Sequence, residues 1–288
     1  MGVGQRRMAS RGFQYGRLVP GQEIVSWQRA IGRTLAEVSA LVGSNRPSPG
    51  VRILMYHAVG SRLADDPYGI SISLENFQRQ MEILASQQLA EVIGLKALQS
   101  SSVFDASENR EKKLRVAVTF DDGYKDNLYV AAPVLLRLQI PFTVFVTSSF
   151  IQTGSADYLN ELELKELAAL PGATIGSHGA THCRLAECDD DTLRWELAES
   201  RRYLEDVTGK PITALSYPHG SASERVRVAA RQAGYVLAAS SFFDINNTRH
   251  DPLMLSRCEI VAQDSEKVFL QKLNGDWDWM RWRERLRT

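Results

Sequence analysis

The sequence lacks most of the features that would place it quickly in a class. Among its 288 residues are three cysteines, Cys183, Cys188 and Cys258, an odd number with no Cys-x-x-Cys spacing. Neither a disulfide framework nor a thiolate zinc site is therefore expected, and the three read as reduced thiols. There is no excess of either charge, since 34 Lys and Arg stand against 34 Asp and Glu. Phosphate backbones are held by several uncompensated basic residues, so no nucleic-acid partner is expected. No stretch reaches the roughly 18 consecutive apolar residues of a membrane span, and the first residues lack the apolar core of a secretory signal. The expected location is the cytoplasm. Internal repeats and low-complexity tracts are also missing.

What is present is enough apolar sequence, 44% of the chain, for one large core. Residues 1–20 carry Arg6, Arg7, Arg11 and Arg17 among Gly, Ser and Gln and read as a basic arm. From Glu23 to Val42 the residues Ile24, Trp27, Ile31, Leu35, Val38 and Val42 recur at steps of three and four, the stripe of an amphipathic helix. Its apolar face suits packing on the domain or on a second subunit better than a membrane surface, because the polar face mixes acids with bases. Gly43 to Gly50, with two prolines, reads as a linker. The segments 1–50, 51–265 and 266–288 are thus expected to be an arm with helix and linker, a catalytic domain, and a tail.

Within the domain the period alternates. Strands are expected at Val51–Tyr56, Val116–Phe120, Phe142–Val146, Thr174–Gly176, Ile212–Ser216, Val236–Ser240 and Met254–Val261. Helices are expected at Leu74–Gln87, Asn127–Leu138, Glu161–Leu170, Asp190–Val207 and Ser223–Ala233, and the polar stretch Ser100–Lys113 reads as an exposed loop. Repeated strand–helix units of this kind imply a parallel sheet, and about seven of them fit a closed or nearly closed barrel whose functional groups sit at the carboxyl ends of the strands.

Chemistry is concentrated at those ends. The run Val116 to Phe120 leads directly into Asp121, Asp122 and Gly123. Adjacent anions at the mouth of an apolar strand repel each other and lose hydration, so they call for a cation or a proton between them; the plain alternative is a turn in which Asp122 caps the following helix. His57 follows the first strand. His178 and His182, four apart after the Thr174–Gly176 strand, would lie on one face of a helical turn and could reach one ion. Two imidazoles and a carboxylate form a common catalytic zinc set with open positions for water.

In this order, Thr119-Phe-Asp-Asp-Gly123, His178-x3-His182 and Tyr217-Pro-His-Gly220 resemble the polysaccharide deacetylases of carbohydrate esterase family 4, the NodB-homology fold, over roughly Val51 to Val261. Leu54-Met-Tyr-His-Ala-Val59 and Ala233-Gly-Tyr235 are similar to the branch that acts on exopolysaccharides. The resemblance implies a distorted (β/α)7 barrel, with Asp121 as catalytic base and Asp122, His178 and His182 holding one divalent metal ion, zinc first, with cobalt or nickel also suited. It implies a hydrolase that removes N-acetyl groups from N-acetylglucosamine-type residues of a polysaccharide; the Trp/Arg-rich tail and the expected cytoplasmic location add a lipid-linked glycan precursor as an expected substrate. A small cyclic amide as substrate, or an inactive carbohydrate-binding module, are the alternatives.

The sequence departs from the family pattern in three places. Gly179 stands where Ser or Thr usually follows the first histidine, leaving Thr181 to brace the loop. His219 stands where an aromatic usually follows the proline; Pro218 and His219 would line the acetyl pocket and supply a backbone N–H to the oxyanion. The late Leu-x-x-His motif is missing, since the last strand reads Leu255-Ser-Arg-Cys-Glu-Ile260. The general acid is then expected to be His57, at a strand end, ahead of His250, in a polar loop. Arg257, grouped with the substrate-binding residues, also resembles a family arginine that orients the catalytic aspartate, or it is a buried structural arginine. In the tail, Asp276 to Arg287 gathers three of the five tryptophans with four arginines, which fits either contact with anionic lipid or a helix docked on the barrel.

Overall fold

The computed structural model describes residues 50–280 apart from 64–65, 87, 89, 101–102 and 104–113. The basic arm, the helix expected at Glu23–Val42, the linker up to residue 49, most of the loop expected at Ser100–Lys113 and the last eight residues lie outside the described residues.

The backbone alternates strand and helix as the sequence period requires. β1 is Val51–Tyr56, followed by the short pair β2 (Ala58–Val59) and β3 (Ser71–Ile72), then α1 (Leu74–Ala85) and β4 (Ala90–Val92). β5 (Leu114–Phe120) leads to a π-helical turn at Asn127–Ala131 that runs into α2 (Ala132–Arg137), then β6 (Phe142–Val146), α3 (Ser148–Gln152) and α4 (Glu161–Ala169). β7 (Ala173–Ser177), α5 (Asp190–Thr208), β8 (Ala214–Ser216), α6 (Glu224–Gln232), β9 (Leu237–Ala239), β10 (Cys258–Glu259) and α7 (Glu266–Asn274) complete it. Helix starts follow local chemistry. Ser73, Asn160, Asp189, Ser223 and Ser265 each cap a helix by accepting a backbone N–H, and Asn160 with Glu163 forms a reciprocal capping box.

The strands form one parallel sheet in the order β10-β1-β5-β6-β7-β8-β9. β4 and β6 share one edge of β5: β4 pairs with Leu114–Val116 and β6 with Val118–Phe120. The ring closes through a parallel bridge between Ala239 and Leu255, giving the distorted (β/α)7 barrel. Here the expected last strand, Met254–Val261, is corrected. Leu255 exchanges hydrogen bonds with Ala238 and Ser240 beside β9, the Asn246 side chain takes the N–H of Ser256, Arg257 N–H goes to Phe242, and pairing resumes with β1 only at Cys258 and Glu259. The segment changes partner midway because it spans the gap between the two edges.

Alternation along β5 sorts its side chains. Val116, Val118 and Phe120 pack with the surrounding helices, whereas Ala117 joins Val51, Ile53, Phe145, Ala214, Leu237, Ala239 and Leu255 inside the barrel. Because every barrel strand is parallel, Tyr56, Phe120, Val146, Ser177, Ser216 and Ala239 all end on the same rim.

Residues 266–280 are docked on the barrel. Val268, Phe269, Leu273 and Trp277 are buried, and Asp278 holds the buried Arg52 of β1 through two hydrogen bonds of 2.7 and 3.1 Å. No helix among the described residues is long and apolar enough to cross a membrane. Removing the carboxylate with Asp278→Ala leaves a buried guanidinium unpaired, and denaturant unfolding should show a loss on the order of 3 kcal/mol; a loss below roughly 1 kcal/mol would mean that Arg52 finds water instead.

Candidate metal centre and active site

Asp121 and Asp122 would point to opposite sides if the strand simply continued. Instead Asp122 adopts φ of 74° and Gly123 φ of 84°, which turns the chain so that both carboxylates face His178 Nε2, at 3.8 and 3.5 Å. A Cβ on Gly123 would also press on Val146 at 3.2 Å, so the turn requires glycine. The carboxylates are buried. Asp122 does not cap the next helix, which begins at Asn127 after Asp126.

Asp121 is fastened on three sides. Arg257 donates to both carboxylate oxygens at 2.7 Å and also donates to the Ser216 hydroxyl at 2.8 Å, while that hydroxyl donates to Asp121 Oδ2 at 3.1 Å. Arg257 Nε is spent on the Ser240 carbonyl. Burial alone would raise the Asp121 pKa, but Arg257, His178 and His57 outweigh it and hold the carboxyl well below the usual range. Asp121 is thus an anion at neutral pH. Arg257, grouped by the sequence with the substrate-binding residues, is corrected: its guanidinium is buried and committed beneath Asp121, so it is a positioning residue.

The three candidate ligands converge. Asp122 Oδ1 faces His182 Nε2 at 3.2 Å and His178 Nε2 at 3.5 Å, and the three ligating atoms lie within 4.8 Å of one another. Donors about 2.0–2.1 Å from a common ion at tetrahedral angles stand roughly 3.3 Å apart, so the spacing fits a cation. Two further observations fit. Asp122 Oδ1 is buried without an aligned hydrogen bond, and His178 bonds through Nδ1 to the Ser216 carbonyl at 2.8 Å, which leaves Nε2 free to ligate. Burial drives His178 down to about 4, so it is neutral, as a ligand must be. For Asp122 burial acts upward, and the close approach of His182 with the charges of His57, His178 and His182 brings it below the ordinary value. His182 is pushed down by burial, but Asp122 prevails and raises it above 6.5.

The histidines do not lie on a helical turn as expected. Residues 178–184 form a loop, with Gly179 at φ 76° and His182 at φ 64°. The brace expected from Thr181 alone comes from a residue the sequence reading missed. Glu196, buried on α5, accepts the N–H groups of Ala180 and Thr181 at 2.7 and 3.0 Å and the Thr181 hydroxyl. A Cβ at Gly179 would sit 3.3 Å from that carboxylate, which accounts for glycine there. From the other side, Ser149 N–H and Thr147 Oγ1 donate to Ala180 and His178 carbonyls.

The remaining expected residues sort by position. His57 is on the active rim: its carbonyl accepts from Asn127 at 2.8 Å, its Nδ1 is buried without a partner, and its charge acts on both aspartates. Asp126 pins the same turn by accepting Val59 N–H at 2.9 Å. His250 is not on this rim. Its turn adjoins Asn246, which pairs with Val51, the first residue of β1, and six residues of strand, roughly 20 Å, separate that end from His57. Pro218 is buried and His219 exposed beside the centre, with its ring 4.4 Å from His182 and Nε2 3.2 Å from the His182 carbonyl. Phe150 lies 5.7 Å from His182 and continues to Tyr158 and Tyr124 as an aromatic wall, with centroid spacings of 4.4 and 4.9 Å. Nothing in the sequence period marks that wall, since Phe150 and Tyr158 come from a five-residue helix and a loop.

A cation site of two imidazoles and a carboxylate, beside an ionised carboxylate, on the carboxyl rim of a parallel barrel belongs to the class of metal-dependent hydrolases. The polysaccharide deacetylase family model matches residues 108–238. YxkH of Bacillus subtilis (strain 168), whose name describes it as a polysaccharide deacetylase, is 27% identical over 207 residues, covering 71% of this chain and 69% of that protein. The chain is thus similar to the polysaccharide deacetylase family over the segment that carries Asp121, Asp122, His178, His182 and Pro218. Among solved structures, the Streptococcus pyogenes deacetylase PplD in complex with acetate superposes with a TM-score of 0.68 at 23% identity, covering 78% of this chain and 99% of that one. IcaB from Ammonifex degensii gives 0.65 at 19%, covering 81% and 100%. At these identities the two bear on the fold.

Two outcomes test the metal centre. Glu196→Ala removes three acceptor contacts from the ligand loop without touching a ligand, so competition with a chromophoric chelator should show zinc affinity lower by roughly 10- to 100-fold. In the metal-free protein His182 must lose a proton before it can ligate. Apparent zinc affinity should therefore be constant above the raised His182 pKa and fall about tenfold per pH unit below it; a flat profile down to pH ~5 would show that His182 is neutral without metal.

Proposed function

We propose that this protein is a metal-dependent N-deacetylase that removes acetyl groups from amino sugars of a glycan. One observation carries the reading: Asp122, His178 and His182 are placed so that they could hold a cation, while Arg257 holds the adjacent Asp121 apart from them as an anion.

A divalent cation in this site supplies Lewis acidity, making a water easier to deprotonate and drawing charge from an amide carbonyl. Zinc suits two imidazoles and one carboxylate, with cobalt and nickel as alternatives. The remaining steps belong to the chain's own groups. Asp121, ionised across the neutral range, is the acceptor for the proton of the attacking water, and the fork of Arg257 keeps its oxygens in one orientation. A carboxylate held this low is a weak base, so it acts only where Lewis acidity accompanies it. His57 is on this rim, is not a candidate ligand and keeps a buried Nδ1 without a partner, and we assign it the proton that the leaving amine needs. Pro218, His219 and the Phe150–Tyr158 wall form the walls against which the acetyl group and the sugar rest. The similarity of Leu54–Val59 and Ala233–Tyr235 to the exopolysaccharide branch supports a substrate of that kind.

Acetate release from N-acetylglucosamine oligomers is the test. Turnover should vanish on chelation, return with zinc or cobalt, and fall about 100- to 10,000-fold in Asp121→Asn with zinc still bound. Zinc binding without acetate release from any N-acetylated sugar would overturn the assignment.

A further inference from the structure

The loop that leaves the metal centre carries a pair of thiols that the chemistry above does not use. Cys183 directly follows His182, and Cys188 lies just before Asp189, the residue that caps α5. Five positions apart, their Sγ atoms stand 3.1 Å from each other, about 1 Å longer than a disulfide bond. The intervening chain is already folded back on itself: Leu185–Glu187 makes a tight helical turn, Glu187 N–H returns to the Arg184 carbonyl at 2.9 Å, and Cys188 Sγ approaches the same carbonyl at 3.5 Å. Both thiols are half-buried, so a small reagent can reach them, whereas Cys258 is fully buried. The spacing in sequence gave no reason to pair them; the reversal of the chain at residues 184–187 does.

We propose that Cys183 and Cys188 are a redox modification site that closes by a reversible intraloop disulfide, fastening the segment that carries His182 to the start of α5. The oxidant is a small disulfide such as oxidised glutathione. One thiolate attacks a sulfur of the reagent, releasing one glutathione and leaving a mixed disulfide; the second thiolate then attacks the protein sulfur and releases the other glutathione. Two S–H bonds and one S–S bond are consumed, one S–S bond forms in the protein, and the two hydrogens leave on the two glutathione thiols. The bond joins the two ends of the loop, and α5 is the element that also carries Glu196. Oxidation therefore ties the ligand loop to the helix that already braces it.

The sequence supplies a direct assay, because Arg184 lies between the two cysteines. Trypsin yields Glu166–Arg184 and Leu185–Arg194, which stay joined only if the disulfide has formed. After incubation of the purified full chain with oxidised glutathione, the intact mass should fall by two hydrogens and titratable thiols should drop from three to one. The two peptides should run as one species until reduced. Hydrogen exchange at Gly179–Asp189 should slow in the oxidised form and return on reduction, with Cys183→Ser showing no change. Three thiols remaining, glutathione adducts on separate peptides, or a linked peptide pair with exchange no slower than in the reduced form would each overturn the proposal. None of these readouts depends on deacetylase activity.

Discussion

The contact on which the site depends is the buried pair between Asp121 and Arg257. It joins the end of β5 to the segment that closes the barrel, and through Ser216 and the Ser240 carbonyl it reaches β8 and the turn after β9. Two charges taken out of water carry a desolvation cost of several kcal/mol each, which mutual attraction offsets only if the hydrogen-bonding capacity of both is filled. Here the carboxylate accepts three bonds and the guanidinium also serves a hydroxyl and a carbonyl, so that condition is met. The same contact has a chemical consequence. A carboxylate gripped by a fork of donors is unavailable as a metal ligand in its best orientation, which leaves its neighbour, Asp122, to fill that role. The division of labour between two adjacent aspartates therefore comes from what lies beneath them rather than from any difference in side chain.

Backbone strain at the rim is the second constraint. Four non-glycine residues have positive φ among those described, and three of them, Asp122, His182 and His219, are at the centre. Left-handed geometry costs an ordinary residue about 1 kcal/mol or more, and such positions persist only where the surroundings over-determine them. The surroundings are visible: Gly123 and Val146 behind Asp122, Glu196 and the Thr147–Ser149 turn behind the histidine loop, the His182 carbonyl beside His219. A metal centre built on strained turns is rigid because its supports are elsewhere, on α5 and after β6.

Much of this was legible in the sequence because strand and helix periods differ. The strand Phe142–Val146 and the helix starts at Leu74, Glu161 and Asp190 emerge where apolar spacing and capping residues agree. The candidate ligands could be named because the Asp pair and the His-x3-His pair both follow strand ends and, in that order, resemble a known family. What could not be read depended on contacts far apart in the chain. Glu196 looks like any acid on an amphipathic helix, and its burial follows only from the return of the loop at Ala180. Arg257 lies inside a strand-like run, and only the family resemblance tied it to Asp121, 136 positions away. The break within Met254–Val261 was hidden because two short pairings with different partners leave the same β-prone composition as one long strand. His250 and His57 are each a histidine in a turn, and only the direction of β1 tells which rim each occupies.

That direction also limits which histidine can complete the chemistry. Proton transfer needs a donor within hydrogen-bond reach of the leaving nitrogen, so a residue at the amino end of the barrel is excluded whatever its pKa. On the carboxyl rim, His178 and His182 are committed through Nε2, and His219 has its Nε2 against the His182 carbonyl. His57 keeps a buried Nδ1 without a partner, in a turn held by Asn127 and Asp126. An unpaired buried polar atom carries a cost of roughly 1–3 kcal/mol, and on the proposed reading the leaving nitrogen of the substrate is the partner that offsets it at His57. On the proposed reading, His57 at the end of the first strand takes the part that the missing late Leu-x-x-His motif would otherwise fill.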